Sequence, residues 1–178
     1  MIRYATGNLL LANVEALVNT VNTVGVMGKG VALQFKEAFP SNFHAYKEAC
    51  KRGEVRIGTM FVTETGRLDG PRWIVNFPTK KDWRHPSKLE YVRAGLSDLV
   101  NVVRERKIRS IALPPLGCGH GGLDWRQVKQ AIEGAMADLP EVDVVVYELT
   151  DAYQASPKRS GVERERSRSR TRRSSSSS

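Results

Sequence analysis

Two stretches of this 178-residue chain place glycines where a strand gives way to a helix. In the first, Val18-Asn19-Thr20-Val21-Asn22 runs into Gly25-Val26-Met27-Gly28-Lys29-Gly30-Val31. Glycine lets the backbone approach an oxyanion closely, and the amides that open the following helix can hold it. The spacing fits neither a P-loop nor the dinucleotide fingerprint. The second stretch is Leu113-Pro114-Pro115-Leu116-Gly117-Cys118-Gly119-His120-Gly121-Gly122-Leu123-Asp124. Asp124, with Gln127 three residues on, fits a helix N-cap in a capping box better than a catalytic acid. Two such loops in one small domain predict a ligand that contains a diphosphate.

A third stretch, Asn76-Phe77-Pro78-Thr79-Lys80-Lys81-Asp82-Trp83-Arg84-His85-Pro86, follows an apolar run. Alternation at a strand end points Lys80 and Lys81 to opposite sides, so one can face a cleft and the other solvent. Trp83, Arg84 and His85 add a stacking surface and positive charge, a combination suited to single-stranded nucleic acid.

The elements that must position these loops alternate along the chain. Strands are expected at residues 2–5, 16–22, 59–63, 73–77, 110–113 and 142–149. The third and fourth form an antiparallel hairpin across the turn residues Asp69-Gly70-Pro71. Leu89, Val92, Leu96, Leu99, Val100 and Val103 mark one face of a helix, and Val128, Ile132, Ala135, Met136 and Leu139 mark another. Val31, Phe35, Ala38 and Phe39 form a helix face that Pro40 should stop. Phe43, Tyr46, Ala49 and Cys50 suggest a further helix closed by Gly53. Helices separated by single strands predict an α/β domain of three α/β/α layers. In open sheets of this kind ligands bind beyond the carboxyl ends of the strands.

Composition narrows the classes. No apolar run approaches the roughly 18 residues needed to cross a bilayer. The N-terminus lacks the apolar core of a signal peptide, and Cys50 and Cys118 form neither a disulfide framework nor a metal spacing. A reduced, cytoplasmic monomer with no metal or cofactor is expected, and His44, His85 and His120 are far apart in the chain. Of the formal net charge of +9, residues 156–178 carry eight Lys/Arg against two Glu, which leaves the body only mildly basic. That Arg/Ser-rich tail has one large apolar residue, Val162, and is expected to be disordered.

Taken together, Gly7-Asn8-Leu9, Val18 to Asn22, Gly25 to Ala32 and Gly117-Cys118-Gly119 resemble the ligand-binding segments of macrodomains, the ADP-ribose-binding modules. The resemblance covers residues 1–153, and a macrodomain over residues 1–155 is expected. Met27 to Phe35 and Asn76 to Lys80 are similar to the DNA ADP-ribosyl glycohydrolase antitoxins of the DarG type. The resemblance implies a central mixed sheet of about six strands with ADP-ribose across its top. It places Asn8 and Leu9 at the adenine and Asn22 at the distal ribose. Gly28, Lys29, Gly30 and Val31 would line the ribose and diphosphate, with Gly117, Cys118, Gly119, His120 and Gly121 opposite.

The resemblance assigns catalysis to Lys80. Attack at an anomeric carbon needs an unprotonated amine, and burial or neighbouring cations such as Lys29 or Arg84 would lower its pKa. A charged Lys80 would instead stabilise the departing base or the diphosphate. Terminal ADP-ribose glycohydrolases carry an aspartate in the second glycine loop where this chain has His120, a candidate acid/base or ligand contact. Lys81, Trp83 and Arg84 are the expected nucleic-acid contacts.

The implied function is removal of ADP-ribose from thymidine bases of single-stranded DNA, reversing the mark of a cognate DNA ADP-ribosyltransferase toxin. DarG-type antitoxins continue into a domain that sequesters the toxin. Here the Arg/Ser tail stands instead, so reversal rather than sequestration is expected. The alternatives are a non-catalytic ADP-ribose-binding module and a hydrolase of ADP-ribosylated protein carboxylates.

Overall fold

The computed structural model describes residues 1–149. The tail over 156–178 and the last residues of the expected domain lie outside the described residues. Six strands form one sheet: β1 (Ile2–Ala5), β2 (Ala16–Val21), β3 (Phe61–Glu64), β4 (Trp73–Pro78), β5 (Ser110–Leu113) and β6 (Asp143–Tyr147). Their order is β1-β6-β5-β2-β4-β3, with every pair parallel except β3 against β4. The expected hairpin is that antiparallel pair. Four helices, α1 (Gly30–Ala38), α2 (Pro40–Lys51), α3 (Leu89–Glu105) and α4 (Trp125–Met136), complete the three layers.

The strand residues sort by alternation. Ala16 and Val18 of β2, with Val75 and Phe77 of β4, pack under α3 and α4. Leu17 and Ile74 face the other way toward α1 and its neighbours. Along α3 the predicted face is buried as one stripe, with Val92, Leu96, Leu99, Val100 and Val103 at 5% exposure or less. Each such side chain contributes about 1.5–3 kcal/mol of burial.

Element ends depart from the sequence reading where side chains take over backbone partners. β3 begins at Phe61 rather than residue 59, because the amide of Met60 donates to Asp98 Oδ2 of α3 at 2.7 Å. β2 stops at Val21 because Asn22 turns its side chain onto the loop that follows. β6 spans Asp143–Tyr147, shorter than the expected run of residues 142–149. Pro40 ends α1 and also opens α2 at its first turn, where a missing N–H costs nothing. The α2 terminus is closed by Gly53 at φ +69°, with Gly53 N donating to Cys50 O and Glu54 N to Ala49 O.

Gly95 is where α3 comes closest to the sheet. A Cβ there would stand 2.4 Å from two ring atoms of Phe77, which is fully buried. Gly95→Val is therefore expected to lower stability by about 2–3 kcal/mol through overpacking. The urea unfolding midpoint, compared with that of the parent chain, measures it.

Candidate functional site

The glycine loops and the Lys80 segment converge at the carboxyl ends of β2, β4 and β5, around a cavity of about 700 Å³. One wall is the entry to α1. Lys29 is its N-cap and makes no side-chain cap hydrogen bond, so the first amides, at Gly30, Val31 and Ala32, border the cavity without a capping side chain. Such a helix start favours an anion. Gly28 and Lys29 line the same wall.

The opposite wall is the second loop, where Gly117, Cys118, Gly119, His120 and Gly121 all line the cavity. Burial pushes the Cys118 thiol up to about 12, so it is a neutral surface rather than a thiolate. The exposed His120 ring reaches across to the first loop, and a Cβ at Gly30 would lie 3.6 Å from His120 Cδ2. At Gly121 the approach is tighter, since a Cβ would stand 2.4 Å from Ser87 Oγ. Asp124 caps α4 as expected, accepting from Arg126 N at 2.9 Å.

Between the walls, Thr20 and Val21 of β2 line the cavity with Thr79 and Lys80 from just beyond β4. Buried amides tie these two strands and α2 together. Asn76 Nδ2 donates to Asn42 Oδ1 at 2.8 Å and Asn42 Nδ2 returns a bond to Asn76 Oδ1 at 3.1 Å. Asn19 Nδ2 of β2 donates to the same Asn76 oxygen at 3.3 Å. All three amides are buried. Beyond β4 the pairing continues: Thr79 N donates to Val21 O, and both Thr23 N and Thr23 Oγ1 donate to Lys81 O. This extension carries out the expected alternation. Lys80 lines the cavity, whereas Lys81 is exposed and its ammonium lies 5.9 Å from the Tyr91 ring centroid.

Burial holds the Lys80 amine below the usual lysine range. The cations offered by the sequence as a further cause, Lys29 and Arg84, are not part of it. Arg84 is occupied by Asp82, donating from Nε and Nη2 at 2.9 and 2.8 Å. Those bonds hold the Asp82 carboxyl well below its usual range. They also hold the Arg84 guanidinium 5.5 Å from the centroid of Trp83, which is half exposed at the cavity.

Asn22 lines the cavity as expected, but most of its polar capacity belongs to the loop. Its Oδ1 accepts from Val24 N and Val26 N at 3.1 and 3.3 Å, and its Nδ2 donates to Val26 O at 2.8 Å. The Tyr46 hydroxyl of α2 approaches Asn22 Oδ1 at 2.9 Å and Asn22 O at 2.7 Å. Burial raises the Tyr46 pKa, which keeps that hydroxyl a donor. A primary amide carries two N–H groups, so one remains for a ligand.

Asn8 and Leu9 are not brought to the cavity lining. Asn8 Oδ1 accepts from Leu10 N at 3.0 Å as the cap of a short helical turn, and Leu9 is buried behind it.

Three contributors escaped the sequence reading. Tyr46 carried only the signal of a helix face, and Asn42 carried none. Ser87 likewise carried none: it is buried at the cavity, its N donates to Gly121 O, and its Oγ has no hydrogen-bond partner among the described residues. Among the described residues, no group of three or more His, Cys, Asp or Glu is arranged to hold a metal ion. No described helix is long and apolar enough to cross a membrane.

A buried amine titrates early. Acylation of Lys80 by an amine reagent, followed site by site with mass spectrometry, is expected to reach half-maximal rate at a lower pH than free lysine. A midpoint at or above that of free lysine would contradict the burial of this amine.

Comparison with known proteins matches the geometry. The Macro domain family model matches residues 18–132. The chain is 64% identical over 148 residues to a protein of Thermus aquaticus named DNA ADP-ribosyl glycohydrolase, covering 83% of this chain and 41% of that protein. It thus spans about two-fifths of the length of the curated relatives it matches. Among solved structures, the macrodomain of Mycobacterium tuberculosis DarG superposes with a TM-score of 0.84 at 62% identity, covering 84% of this chain and 99% of that one. The Thermosipho africanus DarTG structure in complex with ADP-ribose gives 0.76 at 29% identity, over 83% of this chain and 42% of that one. With two glycine loops facing one cavity and a macrodomain of DarG matched along nearly its whole length, the chain belongs to the macro domain family.

Proposed function

We propose that this domain hydrolyses the glycosidic bond between ADP-ribose and thymidine bases of single-stranded DNA. The observation that carries the proposal is Lys80: an amine whose pKa is lowered by burial, on the wall of a cavity shaped by two glycine loops. A module that only holds ADP-ribose needs no such amine. Support comes also from the Thermus aquaticus relative, which is named a DNA ADP-ribosyl glycohydrolase.

In this reading the α1 amides and the second loop hold the diphosphate, and the free N–H of Asn22 meets the distal ribose. Neutral Lys80 attacks the anomeric carbon, and the base departs with the bonding electron pair and takes up a proton. The ribose ring opens to a Schiff base on Nζ, and water hydrolyses it to free ADP-ribose and the regenerated amine. Burial favours this route over a charged Lys80, because desolvation penalises the ammonium form. His120, on the wall facing α1, is the candidate for moving the proton or for supporting the ligand. Lys81, Trp83 and Arg84 contact the DNA, with Trp83 as a stacking platform held by Arg84.

The enzyme that installs the mark, a DNA ADP-ribosyltransferase toxin, is the corresponding partner. The Thermosipho africanus relative, 33% identical over 156 residues, is named a fusion of the transferase and the glycohydrolase.

Lys80→Ala is expected to lower ADP-ribose release from an ADP-ribosylated single-stranded oligonucleotide by roughly 10²–10⁴-fold, the usual contribution of a positioned catalytic group. Titration calorimetry should show ADP-ribose binding retained. Release at the parental rate would remove Lys80 from the chemistry, and release only from an ADP-ribosylated glutamate peptide would assign the protein-carboxylate reaction instead. His120→Ala separates its two roles. Loss of one limb of the pH–rate profile identifies proton transfer, and a raised KM with the profile intact identifies ligand support.

A further inference from the structure

We propose that the loop from β4 to α3 carries a second binding surface, on which Lys81, Lys88 and Tyr91 hold the phosphate backbone of single-stranded DNA beside the modified nucleotide. The proposal rests on the glycohydrolase reading above and concerns the DNA outside the cavity. The loop lines the cavity at Lys80, Trp83, Arg84 and Ser87. Lys81 and Lys88 are exposed and follow directly on the first and last of these residues.

Both lysines converge on one ring. Their ammonium groups lie 5.9 and 5.5 Å from the centroid of Tyr91, in the first turn of α3, so they are within about 11 Å of each other. Both are exposed, and neither forms an ion pair among the described residues. Arg84, a further cation of this loop, is matched by Asp82. Of the remaining ionisable groups on the loop and the first turn of α3, His85 is exposed and Glu90 is the single acidic residue of that turn. Two unmatched ammonium groups against one carboxylate leave the surface positive. The positive end of α3 adds to it, since Lys88 as N-cap makes no side-chain cap bond.

The surface is held before DNA arrives. Lys81 O accepts from Thr23 in the first glycine loop, and Ser87 N donates to Gly121 O in the second. Both ends of the loop are thus tied to the walls that hold ADP-ribose, which fixes the track relative to the modified nucleotide and reduces the ordering cost of binding. The Tyr91 ring gathers the two ammonium groups, and the half-exposed Trp83 offers a ring face for an unpaired base, which a duplex does not expose.

The test compares the chain with Lys81→Ala/Lys88→Ala and with Tyr91→Ala across a salt series. The substrates are ADP-ribosylated thymidine and a single-stranded oligonucleotide with unmodified nucleotides on both sides of one ADP-ribosylated thymidine. The quantity read is kcat/KM on the oligonucleotide divided by kcat/KM on the nucleoside. For the parent this ratio should exceed one and fall with salt. In the double variant it should drop roughly tenfold at low salt, and the log–log salt slope should shrink by about 1.4, the value for two lost single-strand phosphate contacts. Tyr91→Ala should lower the ratio with the slope kept, and Tyr91→Phe should restore it.

A double variant with the parental ratio and slope overturns the track while leaving the glycohydrolase reading intact. A parent that releases ADP-ribose from neither substrate overturns that reading. Fluorescence anisotropy of the same oligonucleotide then decides the track by the same slope difference.

Discussion

Parallel pairing of β2 with β4 sets two distant chain segments at the same height, and the site depends on that register. The pairs run from Ala16↔Trp73 to Val21↔Pro78, so the first glycine loop and the Lys80 segment leave the sheet side by side. Side chains alternate along a strand, and a slip of one residue would turn Lys80 to solvent and Lys81 inward. Bonds beyond the strand ends, from Thr79 N to Val21 O and from Thr23 to Lys81 O, extend the ladder past Lys80.

Buried amides make that register specific. Asn19, Asn76 and Asn42 form a connected group between β2, β4 and α2, joined by Thr63 Oγ1 at 2.6 Å and by Phe61 O. Apolar contacts tolerate small shifts, but a buried amide displaced from its partner costs about 1–3 kcal/mol. The same helix supplies Tyr46, which reaches Asn22 and so fixes the first loop. α2 therefore grips both β4 and the first glycine loop, although none of its own residues touches the cavity. The Arg84–Asp82 ion pair at the cavity keeps its guanidinium largely in solvent and contributes little to stability by comparison.

Much of this was legible in the chain. The six strands and four helices follow from apolar periodicity, and the placement of Lys80 follows from alternation past a strand end. Asp124 as a cap followed from local spacing, and so, in principle, did the Asp82 grip on Arg84, two residues apart. What was illegible depends on partners far apart in sequence. Asn22 reads as a strand residue and a ligand contact until Tyr46, 24 positions later, is placed against it. The Ser87 hydroxyl has meaning only once Gly121 is brought beneath it. Asn8 fits the family pattern by position, yet its oxygen is taken by the nearest free backbone amide, that of Leu10.

Cys118 has a consequence for the durability of the site. Cysteines that react with peroxide or with electrophiles do so as thiolates. Here burial on the second loop keeps the sulfur protonated, so the wall that would hold the diphosphate contains a thiol with little nucleophilic character. Oxidative stress that damages DNA would leave such a wall chemically intact. The same property bears on covalent inhibitors: a warhead aimed at this cysteine would find an unreactive sulfur, whereas an aldehyde directed to Lys80 would meet an amine suited to it.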